Sequence, residues 1–591
     1  MILKHTLTYR RSWSAILLLL AGCSDFDWSL PLFSRKPTET RPAGTLDETT
    51  QAMLTRNSRA MAGTVGEVTY LRGAQGLRVR GYGLVVGLPG TGGTNCQPTY
   101  RDHVAREVRR AKSANPNEWP RSATADDILN SPNTAVVQVD AIIPVGALKG
   151  RRLDVTVRAV DLDSTSLAGG ILKPCELKLY NPDNPQLEGR THATAQGTVF
   201  VNPFVSESEG ATVANFREGR ILGGGINTEN RRMSLVLTFE SYSTVRQVET
   251  AINQRFKSTQ YAKIADGISS TNVDINLPEE YKDREMQFLR LVRHLPLSVA
   301  REVHERRAGE LIGELAQPDA PWEDVALSLE GLGKTIIPIL REHYPDTRPH
   351  VNYYTARTGL RLMDDTAIEG VLRHARDRRS IFRQQAIREL GTCAMPGRAG
   401  PALKELLGDP DVSIRIAAYE ALRTVDPGMV EKFIVGAKPV NFILEVVFFD
   451  GPPLIYVRRT EEPRIALIGG PRMMFRPPLL YADSGKPLTL SASVDADTLS
   501  IVRKNPQGEV IAGPARAPLA VAPLVRFLGE NPERDINGAL RGFGISYADI
   551  IDLLFRLSKD GAINADARWE QPSVEELIGP LAPLERPESE L

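Results

Sequence analysis

Apolar residues in this chain recur with two different periods, and the period changes twice along its length. Around residues 65–71, 84–88, 135–143, 152–160, 198–201 and 233–239 they fall in short, largely alternating runs. Such runs predict strands, because successive strand side chains point to opposite faces. Two stretches nearby, 100–111 and 245–256, have helical spacing, with Ser243-Thr244 placed to cap the second. Between about 300 and 427 the spacing is helical, in amphipathic segments separated by Pro, Gly and Asp turns. Ile381, Ala386, Ile387 and Leu390 form one apolar stripe, and Ala402, Leu403, Leu406 and Leu407 form another after Pro401. Asp409-Pro410-Asp411 then opens a helix that can turn Val412, Ile414, Ala417, Ala418, Ala421 and Leu422 toward a neighbour. Strand-like runs return at 442–449, 454–457, 465–468 and 488–491, and an amphipathic helix over 548–557 follows Ser546 in the capping position. The pattern predicts an α+β protein, with a β-rich body at 63–300 and 428–570 interrupted by an all-α stretch at 301–427. Residues 24–62 and 571–591 are rich in proline and charge without periodicity, which predicts a flexible tether and a disordered tail.

A chain of 591 residues exceeds what one hydrophobic core serves. Its 72 basic and 72 acidic side chains cancel, which removes the bulk attraction expected of a nucleic-acid binder and points to protein partners. At the N-terminus Lys4, Arg10 and Arg11 precede a short apolar run at 15–20 and then Leu20-Ala21-Gly22-Cys23. The run is too short to span a bilayer, so residues 1–23 predict a secretion signal. Leu-Ala-Gly-Cys resembles the lipobox of bacterial lipoproteins, which implies that the Cys23 thiol carries a lipid and that Ser24 directs the chain to the outer membrane, facing the periplasm. The plainer alternative is a cleaved signal with a chance cysteine.

Of the remaining cysteines, Cys96 and Cys175 share one β-rich region, so an oxidising periplasm makes them the candidate disulfide, although spacing does not fix connectivity. Cys393 stands apart. No CxxC or His/Cys cluster is present, so neither a metal site nor a cofactor is expected.

The string from Gly81 through Tyr82, Gly83, Gly87 and Gly90 to Gly92 invites a phosphate-cradle reading. Residues 87–94 match Walker spacing except that Gly93 stands where the phosphate-binding lysine is needed, and the third Rossmann glycine is replaced by Val86. A glycine-dependent turn at the end of a buried strand accounts better for the string. His304-Glu305 lacks the second histidine of a zinc-protease motif. Asp161-Leu162-Asp163-Ser164 reads as a polar turn rather than an acid–base pair, and Gly223-Gly224-Gly225 as a flexible turn. No catalytic residues are assigned; an enzyme acting on glycan or lipid would need two carboxylates facing each other in a cleft.

Residues 81–92 resemble, almost letter for letter, a string near the mature N-terminus of the bacterial flagellar P-ring protein family. Residues 136–144, 150–157, 164–172, 195–197, 251–256 and 288–295 continue the resemblance in order, and it resumes at 465–470 and 540–562. The stretch from Asp409 to Leu422 resembles HEAT-type repeats. Together these imply a P-ring-like body with an inserted helical-repeat domain. The implied role is a periplasmic ring of the flagellar basal body that supports the rotating rod. Its implied partners are copies of itself, rod and outer-membrane ring proteins, and peptidoglycan, with the membrane reached through lipidated Cys23. The lipid signal and the helical insertion both depart from the family pattern. The alternative is an outer-membrane-anchored envelope scaffold or protein-binding module without a flagellar role.

Overall fold

The structure is a computed structural model that describes residues 59–570 apart from 74, 121, 180–188, 203–215, 258–262, 437–439, 483–487, 506–508 and 535–540; the expected signal and tail and residues 24–58 of the expected tether lie outside them, whereas the end of that tether, Arg59–Met61, is a helical turn with Ala60 and Met61 buried. The first β-rich region contains β1 (Thr69–Arg72), β2 (Leu77–Val86), β3 (Thr134–Ile143), β4 (Arg152–Ala159) and β5 (Ile171–Leu179). It continues through β6 (Thr191–Thr198), β7 (Glu218–Asn227), β8 (Met233–Leu237), β9 (Ala265–Gly267) and β10 (Asn272–Ile275). Strands β2, β3, β4, β7, β6 and β5 close, in that order, into an antiparallel barrel. Alternation fills it: Val137, Val139 and Ala141 of β3 meet Val155 and Val157 of β4 inside. On the outside, Leu84 and Val136 are covered by helices Pro98–Ala114 and Ala125–Leu129. The shorter of these starts at a capping box, in which Thr124 and Asp127 satisfy each other's backbone amides.

The remaining strands of this region form a sheet of order β1-β8-β10-β9. Leu235 and Val273 face helices Tyr242–Arg255 and Glu285–Arg293, which contribute Val248, Ile252, Phe288 and Val292 to the same core.

Several expected boundaries move. Val65–Val68 is a helical turn ahead of β1, and β2 begins seven residues before Leu84. The cap of Tyr242–Arg255 is Ser241, whose side chain accepts the Thr244 amide, rather than Ser243-Thr244. Gly223-Gly224-Gly225 is no flexible turn: it lies within β7 in the barrel wall. A side chain at Gly224 would meet the Gln196 carbonyl at 2.7 Å, so the barrel closes at this corner only because none is there.

From Arg301 to Val425 the chain forms successive helix pairs: Arg301–Leu315 with Trp322–Leu332, Ile337–His343 with Pro349–Arg361, Ile368–Arg376 with Arg383–Thr392, and Pro396–Leu406 with Val412–Val425. The second helices of successive pairs pack on one another in turn. Arginines from these inner helices are buried in ion pairs: Arg357 with Glu323 at 2.6 Å, Arg361 with Glu330 at 3.0 Å and with Glu389, and Arg383 with Asp409. Pro401 does not start a helix; the helix begins at Pro396 and carries Pro401 inside it.

The second β-rich region contains β11 (Val430–Val435), β12 (Phe442–Val447), β13 (Leu454–Val457), β14 (Arg464–Ile468), β15 (Leu479–Ala482), β16 (Leu488–Ala492), β17 (Thr498–Lys504), β18 (Val510–Pro518) and β19 (Asp566–Trp569). A mixed sheet of order β11-β12-β14-β13-β19 has both faces covered. Val447, Leu454, Ala466 and Ile468 pack on the helix pairs, while Leu444, Ile455, Ile465 and Leu467 pack on helices Val521–Gly529 and Tyr547–Lys559. These two helices also cover the sheet β15-β16-β17-β18. Ser546 caps Tyr547–Lys559 as expected, accepting the Asp549 amide.

Candidate functional site: the glycine string and the joint between the β-rich regions

The glycine string divides into two parts with different physical requirements. Gly81 and Gly83 lie inside β2, where alternation turns both toward β5. A methyl group at Gly81 would sit 2.3 Å from the Glu176 carbonyl, and one at Gly83 would sit 3.1 Å from Cys175 Cβ. Tyr82 points the other way and stacks on Tyr100 of the covering helix, with centroids 4.5 Å apart. Burial, reinforced by the hydrogen bond with Tyr100, pushes the Tyr82 phenol up to about 12. Gly87 and Gly90 lie beyond the strand with φ of 78° and 75°, where the left-handed backbone favours glycine.

The amides of the loop are consumed by the protein itself. Gly90 N–H donates to Asn133 Oδ1 at 3.0 Å, Gly92 to the Pro132 carbonyl at 2.8 Å, and Gly93 to the Thr134 carbonyl at 3.0 Å. The Thr94 and Asn95 amides donate to the two oxygens of Asp163 at 3.0 and 2.9 Å. Those bonds hold the Asp163 carboxyl below the usual range. An anion would therefore have to displace internal acceptors, in contrast to a phosphate cradle, whose amides point outward.

Asp161 and Asp163 have separate structural tasks. Asp161 is buried and accepts the Val136 amide at 2.9 Å through Oδ2, while Oδ1 is without a partner. Burial pushes its carboxyl up to about 6. Gly93 lies against the pair, since a side chain there would meet Asp161 Cγ at 2.7 Å and Asp163 Oδ1 at 2.5 Å. Asp163 thus pins the loop after β2 to the loop after β4, and Asp161 pins the latter to β3.

The second feature joins regions far apart in sequence. Asp154 on β4 accepts the Gly223 amide at 2.7 Å through one oxygen and the Glu461 amide at 2.8 Å through the other. Glu461 has a positive φ of 58°, and its carbonyl would lie 2.0 Å from a side chain at Gly223. Phe200 and Leu222 of the barrel are buried in the same core as the second β-rich region, and Phe200 approaches Tyr547 with centroids 5.8 Å apart. A carboxylate that bridges two backbone amides, an apolar contact and a close glycine approach together join the two regions. Sequence reading missed Asp154, Phe200 and Glu461; Asp154 stood in a matched string, but nothing local marked it as a joint.

The cysteines overturn one expectation. Cys96 and Cys175 are both free, as is Cys393. Cys175 belongs to the barrel interior and Cys96 to the cluster outside the wall, so sharing a β-rich region does not bring their sulfurs together. Burial pushes the Cys96 thiol up to about 11 and Cys175 to about 12, which keeps both protonated. Cys23 lies outside the described residues. Among the described residues no His, Cys, Asp or Glu group is arranged to hold a metal ion, and no helix is long and apolar enough to cross a membrane.

The sequence profile described as flagellar P-ring protein matches residues 64–311, which include the barrel and the sheet beside it. The chain is similar to the flagellar P-ring protein of Oleidesulfovibrio alaskensis, 29% identical over 275 residues, covering 44% of this chain and 68% of the relative. It is 28% identical over 334 residues to the flagellar P-ring protein of Geobacter sulfurreducens, covering 53% of this chain and 83% of the relative. The same-named protein of Geobacter metallireducens is 28% identical over 274 residues, 44% of this chain and 69% of that one.

Proposed function

From its similarity to flagellar P-ring proteins, we propose that this chain belongs to their family, is a structural subunit of the basal-body ring and works by packing rather than by chemistry. The observation that carries this reading is the joint at Asp154: it fixes the barrel against the second β-rich region, giving a rigid body able to repeat around a rod. The glycine string supports the same reading, because its amides are spent on holding the barrel mouth closed.

The ring would be built of copies of this chain and would touch rod, outer-membrane ring proteins and peptidoglycan in the periplasm. Lipid on Cys23 would hold it to the outer membrane through the 24–62 tether. The helix pairs at 301–425 would be a HEAT-like insertion into the family body, offering a further protein-binding surface. The family match favours the flagellar setting over a scaffold without a flagellum.

Electron microscopy of detergent-extracted protein tests the central claim. Rings enclosing a rod are expected; particles that stay monomeric, with motility intact in a deletion strain, would end it. For the anchor, Cys23→Ala should move a correctly exported protein into the soluble periplasmic fraction, and unchanged membrane partitioning would remove the lipid from the account.

A further inference from the structure

The turn joining helices Ile368–Arg376 and Arg383–Thr392 is tied down from inside. Ser380 Oγ lies 2.7 Å from His374 Nδ1 and accepts the Phe382 amide at 3.2 Å. The Arg383 guanidinium donates to the Ala375 carbonyl at 3.1 Å and pairs with Asp409. Phe382 is buried and stacks on Tyr353 with centroids 4.5 Å apart. With Phe382 taking the inward position, the residue before it is left outside. Ile381, expected from the sequence to share an apolar stripe with Ala386, Ile387 and Leu390, does not join their core and is 72% exposed.

Around this isoleucine the charge is one-sided. Arg373, Arg376, Arg378 and Arg379 are exposed, with Asp377 as the acid among them. Asp377 is engaged by the Arg379 amide at 2.9 Å, and Arg376 lies 3.5 Å from Glu405. The side chains of Arg373, Arg378 and Arg379 have no hydrogen-bond or ion-pair partner among the described residues. The neighbouring turns differ. On the turn one pair earlier, Arg348 is neutralised by Asp346 at 2.7 Å. On the turn one pair later, Asp409 is held by Arg383, and Asp411 accepts the Ser413 amide at 2.8 Å. In a chain of zero formal charge, the excess of cations is a property of this turn.

Unpaired arginines around one outward apolar side chain suit an anionic lipid interface. Such a surface takes the guanidinium groups at headgroup level, lets their aliphatic stems lie along the boundary and receives the apolar tip just beneath. An acidic protein would complement the arginines alike, but it would also need a pocket for Ile381.

We propose that the turn 377–382, with Arg373 and Arg376 of the helix before it, docks on an anionic phospholipid surface and inserts Ile381 at the headgroup boundary. The contact is independent of ring building and of any lipid on Cys23, and it holds the helix pairs against the membrane.

The test uses full-length protein carrying Cys23→Ala in every sample, so that no lipid at that position contributes, sedimented with vesicles of phosphatidylglycerol or of phosphatidylcholine. Partitioning onto phosphatidylglycerol should exceed that onto phosphatidylcholine, and the excess should shrink as salt rises. Arg378→Gln/Arg379→Gln should lower the phosphatidylglycerol partition coefficient about thirtyfold, whereas Arg378→Lys/Arg379→Lys should preserve it. Ile381→Ser should lower it about tenfold. All three variants should keep the parent Tm, because the replaced side chains are exposed. Ile381→Trp should add an emission that shifts to the blue on phosphatidylglycerol vesicles and not on phosphatidylcholine. Equal partitioning onto the two lipids, or partitioning that survives the glutamine substitutions, overturns the proposal. So does an Ile381→Ser variant that binds vesicles like its parent and is displaced by polyglutamate, because the turn would then serve an acidic polypeptide.

Discussion

Asp154 and Glu461 are 307 positions apart, yet the Glu461 amide donates to Asp154 Oδ2 at 2.8 Å while the other oxygen of the same carboxylate holds Gly223. One side chain therefore sets both a bulge in the barrel wall and the place where the second β-rich region rests on it. Asp154→Ala leaves two amides without acceptors and should cost roughly 1–3 kcal/mol. Gly223→Ala should cost at least as much, since its new methyl group meets the Glu461 carbonyl at 2.0 Å and its φ is 59°. Hydrogen exchange should locate the damage at 460–462 and at β7; protection unchanged there would show that the apolar contact alone makes the joint.

The two parts of the glycine string should respond differently to alanine. Gly81→Ala drives a methyl group to 2.3 Å from the Glu176 carbonyl on β5, a residue held in place by its pairing with Thr194 of β6. A loss above about 3 kcal/mol is expected, measured by urea unfolding. Gly90→Ala meets nothing within 4 Å and bears only the strain of its φ of 75°, so about 1 kcal/mol is expected. Reversal of this order would mean that the loop, rather than the barrel corner, imposes the glycines.

Legibility in the sequence followed how completely burial decides residue type. Every residue of β12, from Phe442 to Val447, is buried, so its run was plain to read. β7 was hidden because the barrel corner demands Gly223-Gly224-Gly225, and glycines show no alternation. β5 was hidden because Pro174 interrupts it; the ladder tolerates this proline at a register shift between Leu172 and Cys175. The loop glycines could be recognised as a unit, but Asn133, which holds the Gly90 amide, and Asp163, which holds the Thr94 amide, lie 43 and 69 positions from them, beyond any local pattern. The missed Cys96–Cys175 geometry has the same origin, since Cys175 belongs to the barrel interior from β5 while Cys96, in the loop ahead of helix Pro98–Ala114, belongs to the cluster outside the wall.

Between the helix pairs and the mixed sheet, a buried charge network replaces apolar packing. Arg464 lies 3.6 Å from Glu445 and 3.3 Å from Glu420, and it donates to the Tyr419 hydroxyl at 3.1 Å. Burial alone would push Glu445 up, but hydrogen bonds from Arg423 and Tyr419 outweigh it and leave its carboxyl below the ordinary value. Arg464→Met leaves that carboxylate short of a partner and should cost about 3–5 kcal/mol. Arg464→Met/Glu445→Leu should recover part of the loss; a double variant as unstable as the sum of both singles would show that the two residues do not interact.

Asp161 should give the barrel an unusual acid profile. Its folded-state pKa of about 6 lies above the ordinary 3.8, so the folded protein holds this proton more tightly than the unfolded chain does. Linkage then makes its contribution fall as pH rises between about 4 and about 6, the reverse of a paired carboxylate such as Glu445. The full span corresponds to roughly 2–3 kcal/mol. Asp161→Asn keeps an oxygen for the Val136 amide while removing the charge, so its stability should lack this downward component. Subtracting the two urea-unfolding profiles isolates the residue from all other titrating groups. The difference should be flat below pH 4, change through pH 5, and level off above pH 7. A difference that is constant across the range would show that the orphaned Asp161 oxygen is solvated, and that the loops after β2 and β4 are not closed over it.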